Sequence, residues 1–260
     1  MKSYFFVPAV LTKINKSKTI SPDEIILDFE DGLGEKLIPI RFSEIDSHFE
    51  NKVWVRLKKS EIFDLNLADF SCHNCKGFVI PKANSIDELY ALCEKVAPFD
   101  LILLIEHPNV LLKLSEIWSK VDKNRIKGIC LGSHDYSNKL GIRYKFKFFN
   151  FQRDWLVNTC ADLDADLIDV VSMETKKKDE FIIEVDDGVS RGYTAKALVH
   201  PLQLEWMNQW NSKQQEGERV LAKKIIAAFE RDNTEAPRII DGAIFEAPHL
   251  KWAKKFLEKK

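Results

Sequence analysis

The chain has 260 residues, 45% of them hydrophobic and 30% charged, enough to bury a sizeable core as one large or two small domains. A formal net charge of -1, with basic residues scattered along the sequence, argues against a nucleic-acid partner or a membrane-surface footprint and leaves small anionic ligands open. The opening apolar run is too short for a secretory signal and no run reaches membrane-spanning length, so a cytoplasmic protein is expected.

Taken in order, short runs rich in Val, Ile, Leu and Phe recur along the chain, each followed by helical spacing or helix-start chemistry. They are Tyr4 to Val7, Glu24 to Phe29, Val53 to Leu57, Gly77 to Ile80, Leu101 to Ile105, Lys127 to Leu131, Leu167 to Val171 and Ala195 to Val199. Most are continuously apolar rather than alternating, which marks strands covered on both sides in a parallel sheet with helical crossovers. Eight such units in about 200 residues predict an α/β fold, a closed (β/α)8 TIM barrel.

Between the strands, Ser85 can cap the helix opened by Ile86-Asp87-Glu88, and apolar residues at 110, 111, 114, 117 and 118 predict a helix over 109–120. The seventh unit is the weak one, since Asp179 to Ser190 is acidic and poorly periodic, and an open doubly wound sheet stands as the alternative fold. Beyond the eighth strand come Pro201 to Trp210, a charged helix from about Glu216 to Arg231, and a tail from Ile239 to Lys260 that exceeds a barrel's needs. The expected organisation is a barrel over 1–210 with a C-terminal helical extension over 211–260, part of the same domain or reaching a neighbouring subunit. No Gly-, Ser- or Pro-rich linker and no internal repeat interrupts the chain.

Cysteines stand at 72, 75, 93, 130 and 160, an odd number in a chain large enough to need no disulfide, and are read as reduced thiols. Cys72 and Cys75, with His73 between them, have the spacing of half a zinc site, but no second pair completes four ligands.

Active sites of such barrels lie at the C-terminal ends of the strands, so the residues that close each run form a candidate list by position alone. They are Asp28, Glu30 and Asp31 after the second run, Arg56 and Lys58 after the third, Lys82, Glu106, Asp135, Glu174 and His200. Acids facing lysines and an arginine around one rim can hold a hard cation together with an anionic substrate. Glu106 and Asp135, from adjacent strands, are the candidate metal ligands; two carboxylates completed by waters and substrate oxygens is a magnesium pattern, and a salt bridge between loop ends is the plainer alternative. In Gly132-Ser133-His134-Asp135 the glycine permits a sharp turn whose N–H groups can bind a substrate carboxylate, with His134 itself read as a solvated loop histidine.

These residues, in this order, resemble the citrate lyase beta-chain and malyl-CoA lyase family of the HpcH/HpaI aldolase superfamily. Tyr4-Phe5-Phe6-Val7-Pro8-Ala9 resembles its opening strand, Asp28-Phe29-Glu30-Asp31 its D-x-E-D signature and Val55-Arg56 its strand-three arginine. Ile80-Pro81-Lys82, Leu104-Ile105-Glu106, Gly132-Ser133-His134-Asp135 with Leu140-Gly141, and Lys196 with His200-Pro201-Leu202-Gln203 resemble later motifs. The resemblance implies that Glu106 and Asp135 bind Mg²⁺ or Mn²⁺, and that Arg56 contacts the oxo acid and the developing oxyanion. With Arg56, the substrate is assigned Lys82, Gly132, Ser133 and His134, and Asp31 joins Arg56 as catalytic. It further implies a lyase joining or cleaving a 2-oxo acid and an acyl-CoA, in a homo-oligomer, trimer or hexamer. An acid/base carboxylate comes from a neighbouring subunit's M-I-D-x-P motif, which here reads Ile244-Phe245-Glu246-Ala247-Pro248, so Glu246 would fill that role. Lys58 replaces the family's asparagine and His107-Pro108-Asn109-Val110 its T-A-x-G, changes expected beside the substrate, with Val110 narrowing the pocket. A CoA-independent aldolase releasing pyruvate or another oxo acid, or a ligand-binding barrel without turnover, are the other readings.

Overall fold

The computed structural model describes residues 1–31, 38–67, 74–230 and 236–258. Eight apolar runs become the strands β1 (Lys2–Pro8), β2 (Glu24–Asp28), β3 (Val53–Arg56), β4 (Cys75–Ile80), β5 (Asp100–Ile105), β6 (Ile126–Leu131), β7 (Asp166–Asp169) and β8 (Ala195–Leu198). They form a closed parallel barrel in chain order, with β1 meeting β8 from Lys2↔Ala195 to Phe5↔Leu198. Closure removes the open doubly wound alternative. The helices are α1 (Leu11–Ser17), α2 (Ile45–His48), α3 (Lys59–Asp64), α4 (Ile86–Lys95), α5 (Pro108–Leu112), α6 (Ser133–Leu140), α7 (Asn150–Thr159), α8 (Lys178–Arg191), α9 (Pro201–Glu230) and α10 (Ala247–Glu258).

One core cluster takes a residue or two from each strand, among them Tyr4, Trp54, Ile102 and Ile168, while the intervening Val55, Phe78, Leu103 and Ile129 are buried as deeply. Burial of both faces is why the runs carry no alternation. Ser85 caps α4 by accepting from the Glu88 N–H. The helix expected over 109–120 stops at Lys113 and continues as a 3₁₀ turn over Leu114–Ser119. Leu111, Leu114 and Ile117 are all buried, and their spacing of three matches the 3₁₀ period better than the α period.

The seventh unit looked weak because α8 docks partly through charge. Asp169 at the end of β7 is fully buried and receives both Nε and Nη2 of Arg153 from α7 at 2.8 Å, with Lys196 Nζ of β8 at 3.2 Å and Glu184 of α8 3.8 Å from the same lysine. Gly188 lets α8 approach, since a Cβ there would stand 2.7 Å from Asp169 Oδ2. Two of the acids that broke the apolar pattern, Glu184 and Asp187, therefore face the buried cations Lys196 and Arg153.

By contact the chain divides into two compact units, Met1–Glu205 and Trp206–Lys260. The segments expected separately at 201–210 and 216–231 are one helix, α9, which starts in the first unit. The second unit holds an antiparallel hairpin, β9 (Arg238–Ile240) and β10 (Ala243–Phe245), turned by Asp241 and Gly242 at φ 51° and 86°, the two positive φ values that a type I′ turn demands. Ala222, Ile225 and Phe229 pack with Ala253 of α10 to form its core. Cys93, Cys130 and Cys160 are buried free thiols, as expected, Cys75 is buried as well, and burial pushes Cys93 and Cys160 up to about 12. The Cys72-His73 part of the half zinc motif lies outside the described residues.

Candidate active site

Parallel closure sets Asp28 opposite Arg56 in the β2–β3 register, so a carboxylate and a guanidinium leave neighbouring strands at one height. Asp28 accepts from Arg56 Nε at 2.8 Å and Nη2 at 2.7 Å, a bidentate pair that fixes the plane of the fork. Arg56 Nη1 points the other way, 3.3 Å from Glu30 Oε2 and 3.4 Å from Asp31 Oδ2, and the guanidinium lies 5.1 Å over the Phe6 ring. Burial pushes the Glu30 carboxyl up, opposed by Arg56. Lys82, held at φ 49°, sets Nζ 2.9 Å from Asp31, 3.3 Å from Glu30 and 3.6 Å from Asp135.

Glu106 follows β5 and is 4% exposed. Its Oε2 accepts from the Lys82 N–H at 2.6 Å, and its side chain lies against Gly132, where a Cβ would meet Glu106 Cγ at 2.3 Å. Burial, reinforced by the nearby Asp135 charge, pushes the Glu106 carboxyl up to about 8. Asp135 stands in the first turn of α6, one-third exposed. An acid so buried beside a second acid gains from a counter-cation. Among the described residues no group of three or more His, Cys, Asp or Glu side chains is arranged to hold a metal. Zinc wants three or four such ligands, whereas Mg²⁺ is commonly held by one or two carboxylates with waters and substrate oxygens, so Glu106 and Asp135 fit Mg²⁺.

A cavity of about 440 Å³ joins Asp28, Asp31, Arg56, Glu106, Asp135 and the Gly132-Ser133-His134 turn. Lys82 borders a second one, of about 490 Å³, which shares Glu106 and Asp135 and adds His107, Lys59 and Lys139. His134 is partly buried and stacks on Tyr144 at 4.4 Å, with burial lowering its pKa, so it is a cavity wall rather than a solvated loop residue. Other strand-end candidates turn away. Glu174 accepts from the N–H groups of Lys176 and Lys177, His200 Nδ1 accepts from Leu202 N–H, and neither lines either cavity.

Lys58, expected beside the substrate, is exposed, and its N–H caps α3 through Glu61. Val110, expected to narrow the pocket, is buried in α5 and lines neither cavity. His107 does border the second cavity, its Nδ1 accepting from Asn109 N–H and its pKa lowered by burial. Glu246 is an exposed residue of the second unit. Phe6, Val171, Met173 and Val199, absent from the charged candidate list, line the first cavity. Their signal was position, since each lies at or just beyond the C-terminal part of β1, β7 or β8.

A closed parallel barrel whose strand ends gather two metal-ready carboxylates and a clamped arginine on one cavity is the form of a (β/α)8 metal-dependent lyase. The chain belongs to the HpcH/HpaI aldolase/citrate lyase family, whose model matches residues 2–201. It is 27% identical over 271 residues to a (3S)-malyl-CoA thioesterase of Cereibacter sphaeroides, covering 99% of this chain and 94% of that protein. In structure it is similar to Mycobacterium tuberculosis CitE in complex with magnesium, acetoacetate and coenzyme A, with a TM-score of 0.75, 18% identity, and 99% of this chain and 97% of the other covered. The citrate lyase beta subunit complexed with oxaloacetate and magnesium, from the same organism, matches with a TM-score of 0.66 at 20% identity, over 80% of this chain and 95% of that one. At such identities these two structures establish the fold.

Proposed function

We propose that this chain is a Mg²⁺-dependent carbon-carbon lyase that cleaves, or in reverse forms, the bond between a 2-oxo acid and an acyl-CoA. What carries the reading is one cavity lined by Glu106 and Asp135, at adjacent strand ends, together with Arg56. Family membership and the likeness to CitE bound to magnesium, acetoacetate and coenzyme A support it.

Glu106 and Asp135 would hold the cation, Mg²⁺ or Mn²⁺, which when bound supplies Lewis-acid polarisation of the oxygen-bearing carbon. Cleavage of a 3-hydroxyacyl thioester needs a base to take the hydroxyl proton. The C2–C3 bond then breaks, its electron pair moves into the thioester as an enolate, and that carbon is reprotonated. Arg56, its fork fixed by Asp28, stabilises the oxygen charge that grows along this path, while Lys82 and the Gly132-Ser133-His134 turn hold the acid's carboxylate. Asp31, between Arg56 and Lys82, is the proton carrier within the subunit, and Glu246 the one reaching a neighbouring copy's site. That second role makes 211–260 an oligomer-building extension, in a trimer or hexamer. The buried free thiols of Cys93, Cys130 and Cys160 suit a cytoplasmic enzyme, and among the described residues no helix is long and apolar enough to cross a membrane.

The full-length likeness to a (3S)-malyl-CoA thioesterase favours a second reading, hydrolysis of the thioester at the same site. Mass spectrometry of products from 3-hydroxyacyl-CoA substrates separates the two. Acetyl-CoA with a 2-oxo acid is the result expected of a lyase, free CoA with the intact hydroxy acid is that of a thioesterase, and no Mg²⁺-dependent product refutes both. Mixing Arg56→Ala and Glu246→Gln subunits should restore part of the activity if the site is shared, and no recovery despite proven exchange would remove Glu246 from it.

A further inference from the structure

The cavity is divided by strand. Its β2 to β6 side carries Asp28, Asp31, Arg56, Glu106 and Asp135, whereas the side built at the ends of β7, β8 and β1 consists of Val171, Met173, Val199, Phe6 and Pro8. Those five side chains offer no hydrogen-bond donor. Several backbone donors on that arc are also spoken for. The N–H groups of Val199 and His200 donate to Gln203 Oε1 at 3.0 and 3.1 Å, while the fully buried Gln203 returns its own NH₂ to the carbonyls of Ser172 and Glu174. Glu174 N–H goes to Ser172 Oγ, Ala9 N–H to the Asp28 carbonyl, and Pro8 has none. A carboxylate arriving there would exchange part of its water for methyl and methylene groups, which offer it no partner.

We infer that the site selects 2-oxo acids whose far end is an alkyl group and discriminates against those ending in a second carboxylate, with Val171, Met173 and Val199 as the specificity-determining wall. The inference rests on the lyase reading, in which the acid's carboxylate and oxo oxygen are held on the β4–β6 side, leaving its remaining carbons to face the opposite arc. The charged arc has no need of a second anion, since it already carries four carboxylates against Arg56. The apolar arc gains from every methylene it covers.

Calorimetric titration of the full-length protein in Mg²⁺ with pyruvate, 2-oxobutyrate, 2-oxopentanoate and 2-oxoglutarate tests this without requiring turnover. Affinity is expected to rise with each added methylene, by up to about fourfold, the value of transferring one CH₂ fully from water. 2-Oxoglutarate, with the same five-carbon chain as 2-oxopentanoate, is expected to bind at least about tenfold more weakly than it. Met173→Arg, at a position 60% exposed and so tolerant of the change, should reverse that last order. A flat series, 2-oxoglutarate binding as well as 2-oxopentanoate, or Met173→Arg with the original order would each overturn the inference. Loss of Mg²⁺-dependent binding for every acid is a different result, which removes the lyase reading along with it.

Discussion

Replacing Gly132 with alanine probes the contact on which the proposed metal pair depends. The new Cβ would stand 2.3 Å from Glu106 Cγ, 2.8 Å from Oε1 and 2.9 Å from Cδ. Comfortable carbon-carbon contact begins near about 3.5 Å, so the overlap exceeds about 1 Å. Neither side can yield without loss, because Gly132 N–H is bonded to the Ile105 carbonyl at 2.9 Å and the Glu106 carboxylate to Lys82 N–H at 2.6 Å. Overpacking of this kind costs about 1–3 kcal/mol, and about 2 kcal/mol in a chain of this size lowers Tm by roughly 4–8 °C. Glu106 gives way first, so Mg²⁺ affinity should fall about 10–100-fold, as it does when a ligand's orientation is lost. Gly217→Ala is the control, since that glycine is exposed on α9 with nothing within 4 Å, and should gain about 0.5–1 kcal/mol. Thermal unfolding and Mg²⁺ titration of both variants measure this. A Gly132→Ala protein with unchanged Tm and metal affinity would refute the close approach of Glu106 to the turn.

Arg56→Lys keeps the charge and loses the fork that Asp28 orients, so kcat should drop about 100-fold or more on an active substrate, and a change in KM alone would contradict a transition-state role. Because burial raises the Glu106 pKa to about 8, the metal-free carboxyl keeps its proton below that pH and Mg²⁺ must displace it. Affinity should therefore rise up to about tenfold per pH unit until about pH 8 and level off above, with proton release seen in buffers of different ionisation heat; pH-independent affinity over that range would argue against it. Arg153→Met removes the bidentate partner of the buried Asp169 carboxylate and leaves it Lys196 alone, so it should destabilise the barrel by about 3 kcal/mol in denaturant unfolding, whereas a loss below about 1 kcal/mol would show the network to be dispensable.

The barrel was legible because burial of both faces writes itself as continuous apolar runs, and each expected strand lies within two residues of the observed one. Helices were less so. α8 hides its docking face behind Asp187 and Glu184, whose cations, Arg153 and Lys196, come from other elements, a pairing that the closed barrel creates. The 3₁₀ turn after Lys113 follows from spacing by three, which a helical reading absorbs unnoticed. Within the site, position at strand ends marked Arg56, Lys82, Glu106 and Asp135, but a charge-based list passed over Met173 and Val199 on the apolar side of the cavity. It also retained Lys58, Glu174 and His200, whose backbone or side-chain groups cap neighbouring turns. Strand register turns a residue toward the cavity or away from it, and the identity of the residue alone does not.

In the proposed site Glu106 and Asp135 together hold the divalent cation on which binding of the oxo acid depends. Calorimetric titration of Mg²⁺ in the presence of pyruvate, run on the wild type, Glu106→Gln and Asp135→Asn, addresses it most directly. One Mg²⁺ per chain for the wild type, with binding lost in both variants while their thermal unfolding stays cooperative, is the expected result. Wild-type Mg²⁺ affinity in either folded variant would contradict the account.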